Sequence, residues 1–581
     1  MPRRSTTGGA APAPGRAPVH AAPDGDRVLR GAVRQAAAPA AVLGLATLLS
    51  AGAGLLLPAA LGRALDLLLA RDPGAGRHVA LCAALICGAA ALDAVADLLG
   101  GTTAARSTAY LRHRLLRHVL AAGPRVTART APGDLVTRLV GNTADAAAAP
   151  ATVATAAATA AGPLGAVAAL GIISPWLAAA FLAGAPLLFL LLRSFARASG
   201  DCAARYQRIQ GDIAGRLAEA VTGARTIAAA GTAGRERARV LAPLGGLSRQ
   251  GHRMWRVQGR AGARAVTLVP LLQITVLAVA GVLLSGGRIS VGDLLAASRY
   301  AVLATGIGML TGRIGALVRA RAAGRRIAEV LAVPPVRHGG LPLPPGPGTL
   351  ELRGVGAVRD GRPVLSGIDL VVPGGTSLAV VGRSGSGKSV LAALAGRLAD
   401  PDTGTVALDG VPLPALSHDA LRGAVGHAFE RPALLGATVG DALALGVTDP
   451  GREAVVAAAR AACADGFVRR LPEGYDTPRA AAPLSGGEAQ RLGLARAFAH
   501  AGRVLVLDDA TSGLDSPTER EVGRALAHDV AARTRVVVAR RASTAARADR
   551  VAWLEDGRLR ATGPHAELWH LPEYRAVFGA D

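Results

Sequence analysis

The stretch Gly382-Arg383-Ser384-Gly385-Ser386-Gly387-Lys388-Ser389 decides how this chain is read. It fits G-x-x-x-x-G-K-[ST], the pattern of a phosphate-binding loop. The run Leu378-Ala379-Val380-Val381 before it reads as a buried strand, and residues 390–398 after it read as a helix, which is the context the pattern requires. Glycines let backbone N–H groups turn inward and cradle phosphate oxygens at a helix N-terminus. In such a loop Lys388 reaches the β- and γ-phosphates of ATP and the Ser389 hydroxyl ligates Mg²⁺. Lys388 is also the only lysine among 65 basic residues. A composition that uses arginine everywhere else has kept one lysine, and kept it here.

Outward from the loop, the chain is too long for one domain at 581 residues. It is 51% hydrophobic and only 3% aromatic, with a mean hydropathy of +0.34 and the apolar residues concentrated in the first half. The formal net charge of +24 points to nucleic acid or to a membrane surface. The arginines stand beside long apolar runs, which favours the membrane. Without aromatic residues interleaved among them, they give no support to a nucleic-acid partner. Cys82, Cys87, Cys202 and Cys463 lack metal or redox spacing, so they read as small buried hydrophobes without disulfides.

Residues 1–27 are rich in Ala, Pro, Gly and Arg without periodicity and read as a disordered tail, with no removable signal peptide. Residues 28–35 fit an interfacial elbow helix or a plain linker. Residues 28–332 hold six apolar runs near the roughly 20 residues a membrane span needs. They lie at about 37–61, 78–100, 146–172, 176–192, 265–284 and 291–317. Arginines crowd two long connections, among them Arg106, Arg112 and Arg117 in one and Arg193, Arg205 and Arg235 in the other. The 3–4 hairpin has none, and the 5–6 hairpin has only Arg288. Both long connections, and with them both termini, are therefore expected on the cytoplasmic side. Their helical pattern, as at Arg216-Leu217-Ala218-Glu219, predicts helices that run on beyond the bilayer. Asp93 and Asp97 share one helical face in the second span. Carboxylates at that depth mark either a cation-attracting cavity or a polar contact between helices.

Residues 333–348 are rich in Pro and Gly and read as a linker; from 349 to 581 short strands alternate with helices, as in an α/β domain. Residues 402–410 read as a hairpin. Leu484-Ser485-Gly486-Gly487-Glu488 opens a helix that Ser485 can cap, and its glycines permit close approach of phosphate. The strand Val504-Leu505-Val506-Leu507 runs into Asp508 and Asp509. The first suits Mg²⁺ ligation and the second suits holding an attacking water. Ser512-Gly513-Leu514-Asp515 follows.

Phosphate loop, LSGGE, the paired aspartates and SGLD, in this order, resemble the ATP-binding cassette of ABC transporters. The first half resembles the six-span exporter type, with Leu57 to Asp66 and Ser290 to Leu295 in the expected places. The fold this implies is an all-α six-helix transmembrane domain followed by an α/β P-loop NTPase. The implied activity is an ATPase coupled to transport in a bacterial plasma membrane, with ATP and Mg²⁺ as cofactors. The resemblance also implies a dimer whose cassettes meet head to tail. Each ATP then lies between one chain's phosphate loop and its partner's Ser485-to-Glu488 equivalent, with Asp515 nearby.

Four positions depart from the family's pattern. Asp509 stands where a glutamate is usual and is one methylene shorter; misplacement near 1 Å costs roughly 10²-fold in rate. Arg540 stands where a histidine is usual, and guanidinium can hold a phosphate but neither accepts nor loses a proton. Glu430 stands where a Mg²⁺-linked glutamine is usual. Arg359 replaces the aromatic residue that stacks on adenine, a role its guanidinium plane can fill. Beside an intact phosphate loop and an intact LSGGE, these changes predict a site that binds Mg-ATP and hydrolyses it slowly. They also predict a second, different half-transporter as partner, in preference to a homodimer. An importer of the same architecture, and a regulatory subunit that transports nothing, are the competing expectations. A soluble cassette protein is excluded by the apolar first half. Several short stretches resemble actinobacterial half-transporters linked to modified-peptide export; lipids and small drugs stay open as cargo.

Overall fold

Apolar runs longer than any globular core requires become long helices in the first half. The structure is a computed structural model and describes residues 24–359, 361–500, 502–528, 530 and 534–579. Helix α1 spans Gly25–Gln35, α2 Ala37–Leu69 and α3 Ala75–Ala122. The helices Ala149–Ile173, Pro175–Thr222 and Leu244–Ser285 follow, and then Val291–Ala304, a tight turn at Thr305–Ile307 and Gly308–Leu331. Among the described residues, four stretches are long and apolar enough to cross a membrane: Ala37–Leu69, Ala75–Ala122, Pro132–Ile173 and Val266–Ser285. The expected fourth span lies in the long helix Pro175–Thr222, which opens on the apolar stretch Pro175–Leu187. The expected sixth is divided by the turn at Thr305–Ile307. At 48 residues each, α3 and Pro175–Thr222 are about 72 Å long, more than twice the hydrocarbon thickness of a bilayer.

Helix α1 begins inside the segment expected to be disordered. Asp24 caps it by accepting from the N–H groups of Asp26 and Arg27. It buries Val28, Leu29 and Ala32 in one cluster with Leu111, Leu115, Ala320, Ala323 and Ile327. That cluster decides for a packed helix over a plain linker. Asp93 accepts a 2.6 Å hydrogen bond from Ser50 on α2, so one of the two intramembrane carboxylates makes a contact between helices. Elsewhere the helices expose Leu45, Leu49, Ile86, Leu98, Leu164 and Val282, an exterior that suits hydrocarbon.

The two stretches that resembled exporters meet each other. The Asp66 carboxylate accepts from Ser290 Oγ at 2.6 Å and from the Gly292 N–H at 2.7 Å, at the start of helix Val291–Ala304. Tyr300 on that helix donates to the Leu55 carbonyl of α2 at 2.7 Å. The backbones approach so closely that a Cβ at Gly292 would stand 2.1 Å from the Gly62 carbonyl oxygen.

The chain divides between Pro334 and Pro335 into two units, with Gly123–Arg125 grouping with the second. Its strands are β1 Leu350–Arg359, β2 Arg362–Val372, β3 Ser377–Val381, β4 Thr403–Leu408, β5 Val411–Pro412, β6 Val425–Phe429, β7 Val504–Asp508, β8 Thr534–Val538, β9 Arg550–Glu555 and β10 Arg558–Gly563. One sheet is antiparallel, in the order β2-β1-β4-β5; the other runs β10-β9-β3-β8-β7-β6. In the second sheet β9, β3, β8, β7 and β6 are parallel and only β10 is antiparallel. Asp409 and Gly410, both at positive φ, turn the hairpin between β4 and β5. Much of the Pro/Gly-rich linker is fastened to this unit. Gly339 donates to the Pro414 carbonyl at 2.9 Å, Leu341 to that of Ala415 at 3.0 Å, and Gly348 and Thr349 both donate to Asp409 Oδ1 at 2.8 Å.

Gly292→Ala is expected to cost the first unit about 1–3 kcal/mol, because neither backbone can retreat without breaking the Asp66 cap. Gly52→Ala, with nothing within 4 Å of the added carbon, is the control and should change little. Thermal unfolding of the full chain in detergent compares the two.

Candidate functional site

The cleft of interest lies at the C-terminal ends of the parallel strands, where α/β sheets place their ligands. Its volume is ≈ 610 Å³, and its lining includes Gly382, Arg383, Ser384, Gly385, Gly387, Lys388, Ser389, Asp509 and Arg540. A larger hollow of ≈ 820 Å³ beside β6, lined by Arg422, His427, Arg496 and His500 among others, contains none of the motif residues. Chemistry rather than size picks out the first.

Gly387 has φ +98, and a Cβ there would stand 2.6 Å from Leu365 Cδ2 and 3.0 Å from the Val364 carbonyl oxygen. Only glycine serves at that point, and helix Lys388–Ala395 starts immediately after it. The Lys388 ammonium reaches across the loop to the carbonyls of Gly382 at 2.7 Å and Arg383 at 2.9 Å. Ser386 Oγ is buried and has no hydrogen-bond partner among the described residues.

Ser389 Oγ donates to Asp508 Oδ1 at 2.9 Å. Burial pushes the Asp508 carboxyl up from its ordinary value; the Ser389 bond opposes this, Asp509 and Glu430 add to the rise, and Arg540 opposes it. A hard cation suits this pair of oxygen donors and would relieve that strain on the carboxylate. Ser389 and Asp508 are the residues that would hold Mg²⁺, with phosphate oxygens completing its shell. When bound, the ion would neutralise charge on the β- and γ-phosphates. Among the described residues no three His, Cys, Asp or Glu side chains stand close enough to hold a metal ion together. Glu430, expected as a further ligand, faces Arg540, with Oε2 3.6 Å from Nη2.

The same nitrogen donates to Asp509 Oδ2 at 2.9 Å. Asp509 is held twice, because its backbone carbonyl also accepts from Gln490 Nε2 at 3.2 Å. Gln490 Oε1 accepts in turn from the Gly513 N–H at 3.0 Å, which ties the helix after LSGGE to the SGLD turn. Sequence reasoning missed Gln490. Its only signal was an amide, 3% exposed, inside a largely apolar helix face.

Ser485 caps helix Gly486–Ala499 in a reciprocal box: its Oγ accepts from the Glu488 N–H, and Glu488 Oε2 accepts from the Ser485 N–H at 2.9 Å. Those bonds from Ser485 hold the Glu488 carboxyl below its ordinary value. The Thr518 hydroxyl does the same for Asp515. None of Ser485, Gly486, Gly487, Glu488 or Asp515 lines the phosphate-loop cleft of its own chain. Arg359 does not line it either. Its guanidinium bonds the Val358 carbonyl at 2.9 Å and lies 3.9 Å from the Asp402 carboxylate, which competes for its charge. Val364 of β2 and Val577 near the C-terminus line the cleft instead, and neither was foreseen.

Comparison with known proteins agrees with this geometry. The transmembrane-region model of ABC transporters matches residues 41–307, and the ABC transporter model matches residues 365–512. The ABC transporter ATP-binding protein RamA of Streptomyces coelicolor is 55% identical over 537 residues, covering 92% of this chain and 84% of that one. An ATP-dependent lipid A-core flippase of Chromohalobacter salexigens is 34% identical over 67% of this chain and 68% of its own length. Among solved structures, a bacterial Atm1-family ABC exporter with ATP bound shares the fold, with a TM-score of 0.75 over 95% of this chain and 99% of that one at 23% identity. The chain belongs to the ABC transporter family, as an exporter-type half-transporter in which one membrane region is fused to one cassette. Its cassette is an ABC ATPase coupled to transport.

Lys388→Ala removes a charged donor from the cradle and should weaken ATP binding about tenfold to a hundredfold, measured by equilibrium binding of labelled ATP. Gln490→Ala leaves the Gly513 N–H without its partner and takes one donor from the Asp509 carbonyl, which keeps the Ser512 N–H. It should cost the cassette about 2 kcal/mol in denaturant unfolding.

Proposed function

We propose that this chain is one subunit of a dimeric exporter in a bacterial plasma membrane, with six spans and both termini in the cytoplasm. Its own nucleotide site holds ATP with Mg²⁺ and hydrolyses it slowly. Its LSGGE completes a faster site on a different partner chain. The cargo is a small molecule or a modified peptide; the flippase relative, named for a lipid, keeps amphiphiles within that class.

The observation that carries the slow-site reading is the 2.9 Å ion pair between Asp509 and Arg540. A carboxylate that positions or deprotonates water needs a free lone pair aimed at it. Here one oxygen is given to a guanidinium, and guanidinium accepts no proton. The Asp509 side chain is 9% exposed, so it has little room to turn elsewhere. Freeing it costs about 1 kcal/mol once solvent screening of the half-exposed Arg540 is counted, about fivefold in rate. The shorter reach of aspartate adds a further loss of roughly 10²-fold.

The heterodimer reading is supported by the contrast within one cassette. The reciprocal cap at Ser485 is intact and does not line the chain's own cleft, which leaves that motif equipped to serve a nucleotide held by another chain.

The purified chain should retain ATP and turn it over slowly, with Asp509→Asn changing the residual rate little. Asp509→Glu combined with Arg540→His should raise turnover about tenfold to a hundredfold. Brisk hydrolysis by the native chain alone, abolished by Asp509→Asn, would overturn the reading.

A further inference from the structure

Asp508, Asp509 and Glu430 leave the ends of adjacent parallel strands at one end of the cleft, and Arg540 stands among them. Two of its contacts run through one nitrogen, Nη2, at 2.9 Å to Asp509 and 3.6 Å to Glu430. We infer that Arg540 is a positioning residue that serves this site as an internal counter-ion, occupying Asp509 and Glu430 whenever no divalent cation stands at Ser389 and Asp508. The inference rests on the nucleotide-site reading above and is independent of how fast that site turns over.

The physical argument is one of competition. Three carboxylates cannot face four phosphate charges without compensation, and attraction between unit charges near 4 Å is substantial at the effective dielectric of a protein surface. A divalent cation at Ser389 and Asp508 acts on the same group of carboxylates as the guanidinium does. The two are alternative partners, so the presence of either lowers the need for the other. A site with such a built-in cation tolerates ATP without Mg²⁺ better than its carboxylate count allows. Glu430 is the part of the arrangement that makes Arg540 necessary: remove it, and one guanidinium over-compensates.

The test is the Mg²⁺ dependence of nucleotide binding to the full-length protein in lipid nanodiscs. It is read as the anisotropy of ribose-labelled ATP in EDTA and in Mg²⁺, and expressed as the ratio of the two dissociation constants. Arg540→Gln should enlarge that ratio about tenfold by weakening binding in EDTA, whereas Arg540→Lys keeps the charge and should stay within about threefold of native. Glu430→Gln alone should shrink the ratio, and Glu430→Gln with Arg540→Gln should bring it back near the native value. A merely structural role weakens binding in both conditions alike and leaves the ratio unmoved, which overturns the inference. Should Arg540→Gln fail to fold, Glu430→Gln decides alone: an unchanged ratio overturns the counter-ion role, and a smaller one supports it. Brisk turnover by the native chain defeats the slow-site reading but does not touch this comparison.

Discussion

Every nucleotide-facing residue depends on where strand β3 ends. It is hydrogen-bonded to β8 on one side and β9 on the other, both parallel to it, and Ala379, Val380 and Val381 are wholly buried. A strand so enclosed has little freedom of register, since a shift of one residue would move every side chain into the opposite layer and undo its packing. The loop from Gly382 therefore starts at a fixed height. Its neighbours end at the same edge: Arg540 just beyond β8, Asp508 and Asp509 at the end of β7, and Glu430 just beyond β6. Strands about 4.8 Å apart set these groups in a row, with Arg540 between the phosphate loop and the aspartates. The ion pair follows from strand order as much as from side-chain choice.

That order was not legible in the sequence. Each strand could be read locally, by its apolar run and its flanking turn residues, and the Asp409-Gly410 turn could be read from its backbone needs alone. Which strand lies beside which is a non-local choice, and no window of residues contains it. The same division explains the linker. Pro and Gly say that residues 333–348 form neither helix nor strand of their own; they do not say that Gly339 and Leu341 find carbonyls near Pro414. The long helices were the easier part, because a run of apolar residues longer than a soluble core needs has few other uses. Their interruptions were harder: the break at Thr305–Ile307 is marked only by Thr305, Gly306 and Gly308, residue types that many continuous spans also carry.

In the site, what could be read was backbone geometry written in residue type. Gly387 before Lys388, Ser485 three residues before Glu488, and an apolar strand ending in Asp508 each carry a local physical requirement, and the structure meets each one. What could not be read were side chains that bond distant backbone. Gln490 holds the Asp509 carbonyl and the Gly513 N–H, across gaps of 19 and 23 residues. Arg359 was assigned by replacement of an aromatic; that its guanidinium lies 3.9 Å from the Asp402 carboxylate is a contact no motif foretells. Val577 comes from the far end of the chain, where no motif directs attention.

The altered positions are best understood through charge. Relative to a glutamine and a neutral histidine, Glu430 adds one negative charge and Arg540 adds one positive charge. Their contact at 3.6 Å shows the two additions in the same place. The net charge beside the cation position is thus unchanged, and two departures reduce to one exchange. Asp509 in place of glutamate also leaves the charge alone and alters only reach. A site drifting without use has no reason to balance its charges or to bury and bond the shortened carboxylate on both its backbone and its side chain. The balance is what a pocket needs if binding ATP matters to it and splitting ATP does not. Electrostatics governs how firmly phosphates and a cation are held, whereas hydrolysis depends on where one carboxylate oxygen points. The proposed slow site keeps the first and weakens the second.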